Sequence, residues 1–598
     1  MFRRIEDSLE ADPSFPADLK QLGFFVNNVG QICMIDAPDK HFMFNATNNE
    51  RVNEVRREAF QTCERDEVEK RLRGLGLERL YLPGFSIAKP EGPHIPILAP
   101  SPQILKKRKR IVVLVNDTLQ DLGIITYGQL QRELGINGGS VVNFAKELIK
   151  QSAINNTVVE NETIFRDGYE LEDRSETPAL VVLNTGQLLY SHKYNRAMTP
   201  RSWSAMPRKS ITHDMIRIHE EENRVPGHRT ANEHVKSVFD DVLCNPDRVA
   251  AGAEVYVVAI EGGTDNMLNL LVEDFDRYGS RITAMALVES LVDDAQITDP
   301  KLKAFLHQRT RQWKHSDLTF NPLHCISLPE GYNGDIKQHS PQTSPTVTDS
   351  AAHISWHENI RTPAALPDIP QALQTLALDS PQPSPPTQDE STSQNTWPTS
   401  PSPPCPTFAA SPLAVAEYTF TDPSVQSAIL SFFSAVSRSP STYRNPEFTI
   451  FTTAPRPSPS NPLAFSADTP HTPDPAPQYT DTQLALQDAG AALCTMKAAL
   501  AACPTDIEAV QPGRDKLVRR IEKQERSVAV LEGQVTEQEQ LGGGEWTQKG
   551  KGMQWEEGGT GGAKMAIAGA MVDSELVRAA GLLGEDDGEG DEDEKAFI

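Results

Sequence analysis

The sequence predicts an α/β fold, a doubly wound and mostly parallel sheet covered by helices, on three observations. Strand-like and helix-like segments alternate from residue 12 to residue 328, the pattern that crossover helices and parallel strands produce. Apolar runs such as Ile111-Val112-Val113-Leu114-Val115 and Leu180-Val181-Val182-Leu183 are uninterrupted, as in strands buried on both faces. Residues Glu254 to Phe275 join a buried strand, a glycine turn and an amphipathic helix.

Taken in order, the strand at Ile111 to Val115 leads to a turn at Gly135 to Gly139. Ser140 then caps a helix whose buried face is Val141, Val142, Phe144, Ala145, Leu148 and Ile149. Polar residues Asn155 to Thr177 read as a loop insertion. The next strand ends at Asn184-Thr185-Gly186, and Val235, Val238, Phe239, Val242 and Leu243 recur at helical spacing. Strand Val255 to Ile260 follows, its helix carries Met267, Leu268, Leu271, Val272 and Phe275, and Ile282 to Val288 is a further strand.

Beyond this first part of the domain (12–328), residues 329–404 are rich in proline and serine. Such composition buries too little apolar surface to offset chain entropy and predicts a disordered insertion. The domain resumes at 405–452, with a last helix from Tyr418 to Val436 introduced by Thr421-Asp422-Pro423, and a strand or extended arm at Phe448 to Phe451. Residues 453–480 read as a disordered linker, 481–541 as two helices, and 542–598 as a Gly-rich and then acidic tail. Leu517, Ile521, Val528, Leu531 and Val535 fit a heptad seam interrupted at Gln524 and Gln538. A helical hairpin, a dimerising coiled coil and a solvated helix all remain open.

Composition narrows the function. The chain of 598 residues carries 82 acidic against 57 basic side chains, a net charge of −25, so phosphate neutralisation along nucleic acid is a poor match for the whole surface. Seven dispersed cysteines without a C-x-x-C pair suggest neither a zinc site nor a disulfide framework. The amino terminus lacks a secretory apolar core, and no run approaches the roughly 18 apolar residues that span a bilayer. A soluble intracellular protein without membrane contact is expected. Gly550-Lys551 lacks the leading Gly and the closing Ser or Thr of a phosphate loop. Gly135 to Ser140 lacks the dinucleotide-binding order and reads as a helix cap, so no cofactor and no metal are expected. The run Lys106, Lys107, Arg108, Lys109, Arg110 suits nuclear import. It equally suits a solvated approach to the strand at Ile111.

The most informative turn is Ala259-Ile260-Glu261-Gly262-Gly263. A nucleophile elbow requires small residues two positions on either side of the nucleophile, because the turn is strained and the helix packs close beneath the strand. Ala259 and Gly263 meet the requirement, and Glu261 stands where a serine would act. An ordinary Gly-rich strand-to-helix turn accounts for the same residues. A carboxylate nucleophile needs a general base to release its ester, and the scaffold supplies that base as a histidine after the last strand. Residues 405–451 contain none, while His324, His353 and His357 lie elsewhere in sequence. Asp293 and Asp294 follow the strand after the elbow, where a triad acid or a surface turn both fit. No catalytic residue is therefore assigned, and Glu261, Gly262 and Gly263 are read as a degenerate elbow.

With these segments in place, the chain resembles the fungal Argonaute-binding protein 2 domain family. The resemblance rests on Phe15 to Phe24, Asn49 to Glu54, His94 to Leu98, Gln120 to Ile124, Gly135 to Ser140, Asn184 to Leu188, Ser202-Trp203 and Asn223 to Gly227. It resumes at Cys405 to Phe408 and Tyr443 to Phe448. The resemblance implies an α/β-hydrolase-like fold that has lost its nucleophile. It also implies a nuclear role in an Argonaute siRNA chaperone complex that directs heterochromatin assembly. Expected partners are Argonaute and a second chaperone subunit, with siRNA contacted indirectly. Similar domains close the class II histone deacetylases of fungi, so a deacetylase-associated adaptor is an alternative, as is an esterase-like hydrolase using Glu261.

Overall fold

The computed structural model describes residues 9–152, 177–332, 402–410, 416–451, 480–542, 565–567 and 570–572. The expected loop insertion, almost all of the 329–404 insertion and of the 453–480 linker, and most of the tail lie outside these residues.

Nine strands form the main sheet: β1 (Glu78–Leu82), β2 (Ile95–Ala99), β3 (Arg110–Val115), β4 (Ala179–Val182), β5 (Glu254–Ile260), β6 (Ile282–Val288), β7 (Thr310–Lys314), β8 (Cys325–Ser327) and β9 (Thr407–Ala409). Their spatial order is β8-β9-β7-β6-β5-β3-β4-β2-β1. From β9 to β4 neighbouring strands are parallel, whereas β2 and β8 run antiparallel to their neighbours. This is the doubly wound, mostly parallel α/β sheet that the sequence predicts.

Alternation along each strand feeds two cores. Val112 and Leu114 of β3 and Tyr256, Val258 and Ile260 of β5 face one side. There they meet α1 (Glu50–Gly74), α2 (Val141–Ser152) and α6 (Pro423–Ser437). Ile111, Val113, Val115, Val255, Val257 and Ala259 face the other. That side holds α3 (Ala231–Val238), α4 (Gly262–Glu273) and α5 (Pro300–Arg309). Because both faces are covered, the strands read as continuous apolar runs.

Boundaries differ from the expected ones for local reasons. The single helix expected from Tyr418 to Val436 is two, Ala416–Thr421 and α6, because Asp422 caps the Ser424 amide and Pro423 opens a new first turn. The stripe through Leu243 continues α3 as a π-helical turn, Phe239–Leu243. Phe448 to Phe451 is an extended arm whose Phe451 amide donates to the Cys325 carbonyl oxygen at 2.7 Å.

The chain divides into units spanning Met1–Leu531 and Glu532–Ile598. Helix α8 (Gln511–Gly542) crosses the boundary, and the second unit also contains an antiparallel pair, Met565–Ile567 with Ala570–Val572. In the first unit, α7 (Asp481–Ala502) and the first turns of α8 form a helical hairpin closed by Met496, Leu517 and Ile521. It docks on the amino-terminal strand pair Phe24–Val26 and Ile32–Met34. Phe25 and Cys33 pack with Cys503 and Val510, the Asn28 amide donates to the Ala502 carbonyl oxygen, and Arg520 pairs with Asp39 at 2.9 Å.

A buried histidine pair fastens α3 to the end of β4. His234 Nε2 accepts the Asn184 amide at 3.1 Å, so its Nδ1 carries the proton and donates to His228 Nδ1 at 3.0 Å. Burial lowers His228 to about 4, and burial with the neighbouring His228 holds His234 well below its ordinary value. The unfolded chain, titrating near 6.5, therefore takes up the proton first. Stability from the neutral pair is fully present above pH 6.5 and is lost as pH falls toward 4. At pH 4 the loss from His228 reaches about 3 kcal/mol. Urea unfolding between pH 7 and pH 4 is expected to show a steeper loss in the parent protein than in His228→Gln.

Candidate functional site

Strand β5 delivers the chain to its carboxyl edge, where Glu261 takes φ 48° and ψ −121°. A non-glycine residue held there costs about 1–3 kcal/mol, so neighbouring contacts must hold the bend. The Glu261 amide donates to the Val288 carbonyl oxygen at 2.9 Å, and the Glu261 carbonyl oxygen accepts the Thr264 amide at 2.8 Å and hydroxyl at 2.6 Å. Helix α4 starts at once, with Gly262 and Gly263 buried. A Cβ on Gly263 would lie 2.2 Å from the Val115 carbonyl oxygen and 3.0 Å from that of Asn116. The glycine demanded by the elbow is thus a demand of β3, the adjacent strand. Asp265 places a carboxyl in the first turn of α4, where the helix dipole favours negative charge.

The loop after β3 is held rigidly beside this bend. Asn116 donates to the Ile124 carbonyl oxygen at 2.7 Å, and the Thr185 hydroxyl reaches the Asn116 and Asp117 carbonyl oxygens at 2.8 and 3.0 Å. A side chain at Gly186 would strike the Gln120 carbonyl oxygen. Asp121 accepts from Arg65 at 3.0 Å, Tyr127 at 2.6 Å and Gln187 at 2.6 Å. Burial alone would raise Asp121, but Arg65, the Tyr127 hydroxyl and the Gln187 amide together hold it below its ordinary value. Arg65 also binds Glu58 at 2.7 Å, and Ser202 donates to the same carboxylate. One guanidinium of α1 thereby joins two segments around the edge.

Next to the elbow, Glu289 leaves β6 as Glu261 leaves β5, in matched register after Val288 and Ile260 and also with positive φ, 54°. Its carboxylate accepts the His315 amide at 2.6 Å and the Thr419 hydroxyl at 2.9 Å. The His315 ring lies 3.2 Å from Asp317. Glu289 and His315 are not legible in the sequence, because an acid and a base are expected further along each loop. Matched strand endings would have found Glu289, while nothing in the sequence singled out His315. The residues that the sequence singles out have other partners. Asp293 caps the Ala295 amide, Asp294 pairs with Lys303 at 2.6 Å, and His324 stacks on Phe451 with Nδ1 against the Thr319 hydroxyl. His353 and His357 lie outside the described residues.

The remaining sequence candidates occupy ordinary positions. Lys106 and Lys107 end the exposed side of a short helix, Pro102–Lys107, Arg108 is buried, Lys109 is exposed and Arg110 opens β3. The Gly135 to Ser140 turn is engaged internally, its Ile136 amide donating to the Gly30 carbonyl oxygen and Ser140 capping the Val142 amide. Among the described residues no group of three or more His, Cys, Asp or Glu side chains is arranged to hold a metal ion, and no helix is long and apolar enough to cross a membrane.

The elbow geometry has a direct stability test. Gly263→Ala forces a methyl against backbone and is expected to cost about 2–3 kcal/mol. Gly252→Ala, with nothing within 4 Å of the new carbon, is expected to change unfolding free energy by less than about 0.5 kcal/mol. Chemical denaturation of both variants measures the difference.

Comparison with known proteins agrees with the resemblance. A family model, the Arb2 domain, matches residues 15–319, just over half of the chain. That stretch runs from ahead of the amino-terminal strand pair past β7, and includes the elbow. No curated protein and no solved structure matches the chain. The chain belongs to the Arb2 domain family.

Proposed function

We propose that this protein is a non-catalytic adaptor of an Argonaute siRNA chaperone complex, acting in the nucleus in small-RNA-directed heterochromatin formation. Its direct contacts are with Argonaute and a second chaperone subunit, and siRNA is held through Argonaute. Family membership supports the general assignment. The observation that carries the non-catalytic reading is Glu261 in the strained elbow. Attack by a carboxylate there on an ester carbonyl would expel the alkoxide and leave a mixed anhydride, whose hydrolysis requires a base to activate water. Residues 405–451 provide no histidine, and the described end of that region contributes Thr419 to Glu289. The excess of acidic side chains supports indirect contact with RNA.

The enzyme alternative is tested with a panel of ester substrates offered to the parent, Glu261→Gln and His315→Ala. All three are expected to match the uncatalysed background, and turnover that disappears with Glu261→Gln would establish a hydrolase. Purified protein is expected to bind double-stranded siRNA weakly at physiological salt, with tight binding by the chain alone refuting indirect contact. Argonaute is expected among co-purifying proteins from the native organism. Recovery of deacetylase subunits in its place would favour the deacetylase-associated adaptor. For localisation, combined Lys106→Ala, Lys107→Ala and Lys109→Ala substitution is expected to shift a fluorescent fusion out of the nucleus.

A further inference from the structure

The hairpin of α7 and α8 meets the amino-terminal strand pair in a close fit. A Cβ on Gly513 of α8 would lie 2.0 Å from the Ile35 carbonyl oxygen, so only a glycine lets the helix approach that backbone so nearly. At the end of α7 the Ala502 carbonyl oxygen accepts the Asn28 amide at 2.9 Å, and Arg520 of α8 reaches Asp39 at 2.9 Å. Between these fixed points Phe25, Cys33, Cys503 and Val510 form a small buried cluster, with Ile35 and Ile507 around it. Two of its four buried members are cysteines, one from each side of the contact.

A short run of contacts brings the two cysteines together from near opposite ends of the sequence. Cys33 pairs with Phe25 across the strands, and the Asn27 side-chain amide donates to Cys33 Sγ at 3.7 Å. Asn28, the next residue, is the one bonded to Ala502, and Cys503 follows directly as the C-cap of α7. Both cysteines are 2 % exposed and carry free thiols. Burial, and then the neighbouring Cys503, push the Cys33 thiol up to about 12. A field from Cys503 felt at Cys33 is itself a mark of nearness, since such fields fall away with distance.

We propose that Cys33 and Cys503 are the site of a reversible disulfide, formed by a hydroperoxide, that locks the hairpin onto the strand pair. The inference concerns the response of the fold to oxidant and is independent of the adaptor reading. While the hairpin is docked both sulfurs are shielded from peroxide, and the Cys33 thiol stays protonated and unreactive. When α7 lifts away, both meet solvent. One thiolate then attacks the peroxide: an S–O bond forms, the O–O bond breaks, and the departing hydroxide takes up a proton to become water. On return of the hairpin the second thiolate attacks that sulfenic sulfur, the S–S bond forms, the S–O bond breaks, and a second water leaves. The sulfurs give up two electrons and the peroxide accepts them. A bridge between residues so distant in sequence strongly restricts the open chain and so favours the docked state. Thiols such as glutathione reverse it by exchange. Cysteines can also serve as small apolar packing residues, a role that leaves no linked product on oxidation.

The test treats the full-length protein with hydrogen peroxide, blocks remaining thiols with N-ethylmaleimide and maps the unreduced peptides by mass spectrometry. A peptide containing Cys33 is expected to be joined to one containing Cys503 within a single chain, and dithiothreitol is expected to separate them. Oxidation is also expected to slow amide exchange at Asn28, whose bond to Ala502 is released when the hairpin lifts, by about tenfold or more. Cys33→Ala and Cys503→Ala should each abolish both effects. Because either substitution also removes packing, the linked peptide in the parent protein decides the chemistry. Exposed Cys494 on α7 shows that peroxide has acted. The proposal is overturned if Cys33 and Cys503 stay unlinked while Cys494 is oxidised, if they link mainly to other cysteines or between chains, or if they link and exchange at Asn28 is unchanged.

Discussion

The first turn of α4 lies so close to the end of β3 that one methyl group on Gly263 would sit 2.2 Å from a backbone oxygen. This approach constrains everything around the elbow. With the helix pressed under the sheet, the chain leaving Ile260 has no room for a gradual bend and turns within one residue. Glu261 takes up the whole change of direction and adopts positive φ. The bend then sets the Glu261 amide on Val288, which couples the endings of β5 and β6. The local preference for glycine is thus a long-range requirement, imposed by a strand more than a hundred residues earlier.

A second constraint is electrostatic. Helix α1 buries Arg51, Glu58, Glu64 and Glu69, which a purely apolar helix face would exclude. Arg65 compensates Glu58 and Asp121, and Arg51 pairs with Asp12 at 2.7 Å. Removing one member of such a group leaves the others charged and unsolvated, a loss of about 3–5 kcal/mol. Through Asp121, the arrangement ties the loop after β3 to α1, Tyr127 and Gln187.

Much of the sheet was legible because its central strands, Ile111 to Val115 and Val255 to Ile260, are apolar on both faces and their helices show regular spacing. The elbow was legible for a similar reason, since small residues two positions from Glu261 answer a steric demand that acts locally in sequence. Helix α1 was not singled out: its buried face includes Arg51, Asn53, Glu58, Gln61 and Glu64, and apolar periodicity cannot reveal a face made of paired charges. The split at Asp422 was signalled by Thr421-Asp422-Pro423, yet its apolar flanks suggested continuity. Glu289 and His315 are not legible in the sequence because their roles depend on which strands lie side by side. The order β7-β6-β5 is a property of the sheet, and no single segment encodes it.

Docking of α7 and the start of α8 on the Phe24–Met34 strand pair brings two distant stretches of sequence into one structural unit. An excised fragment limited to residues 15–319 would lose β9 and α6 from the main sheet and its first core. It would also leave Phe25 and Cys33 facing water where Cys503 and Val510 now cover them. The boundary drawn by sequence kinship is therefore narrower than the boundary at which the polypeptide can be cut without baring its interior.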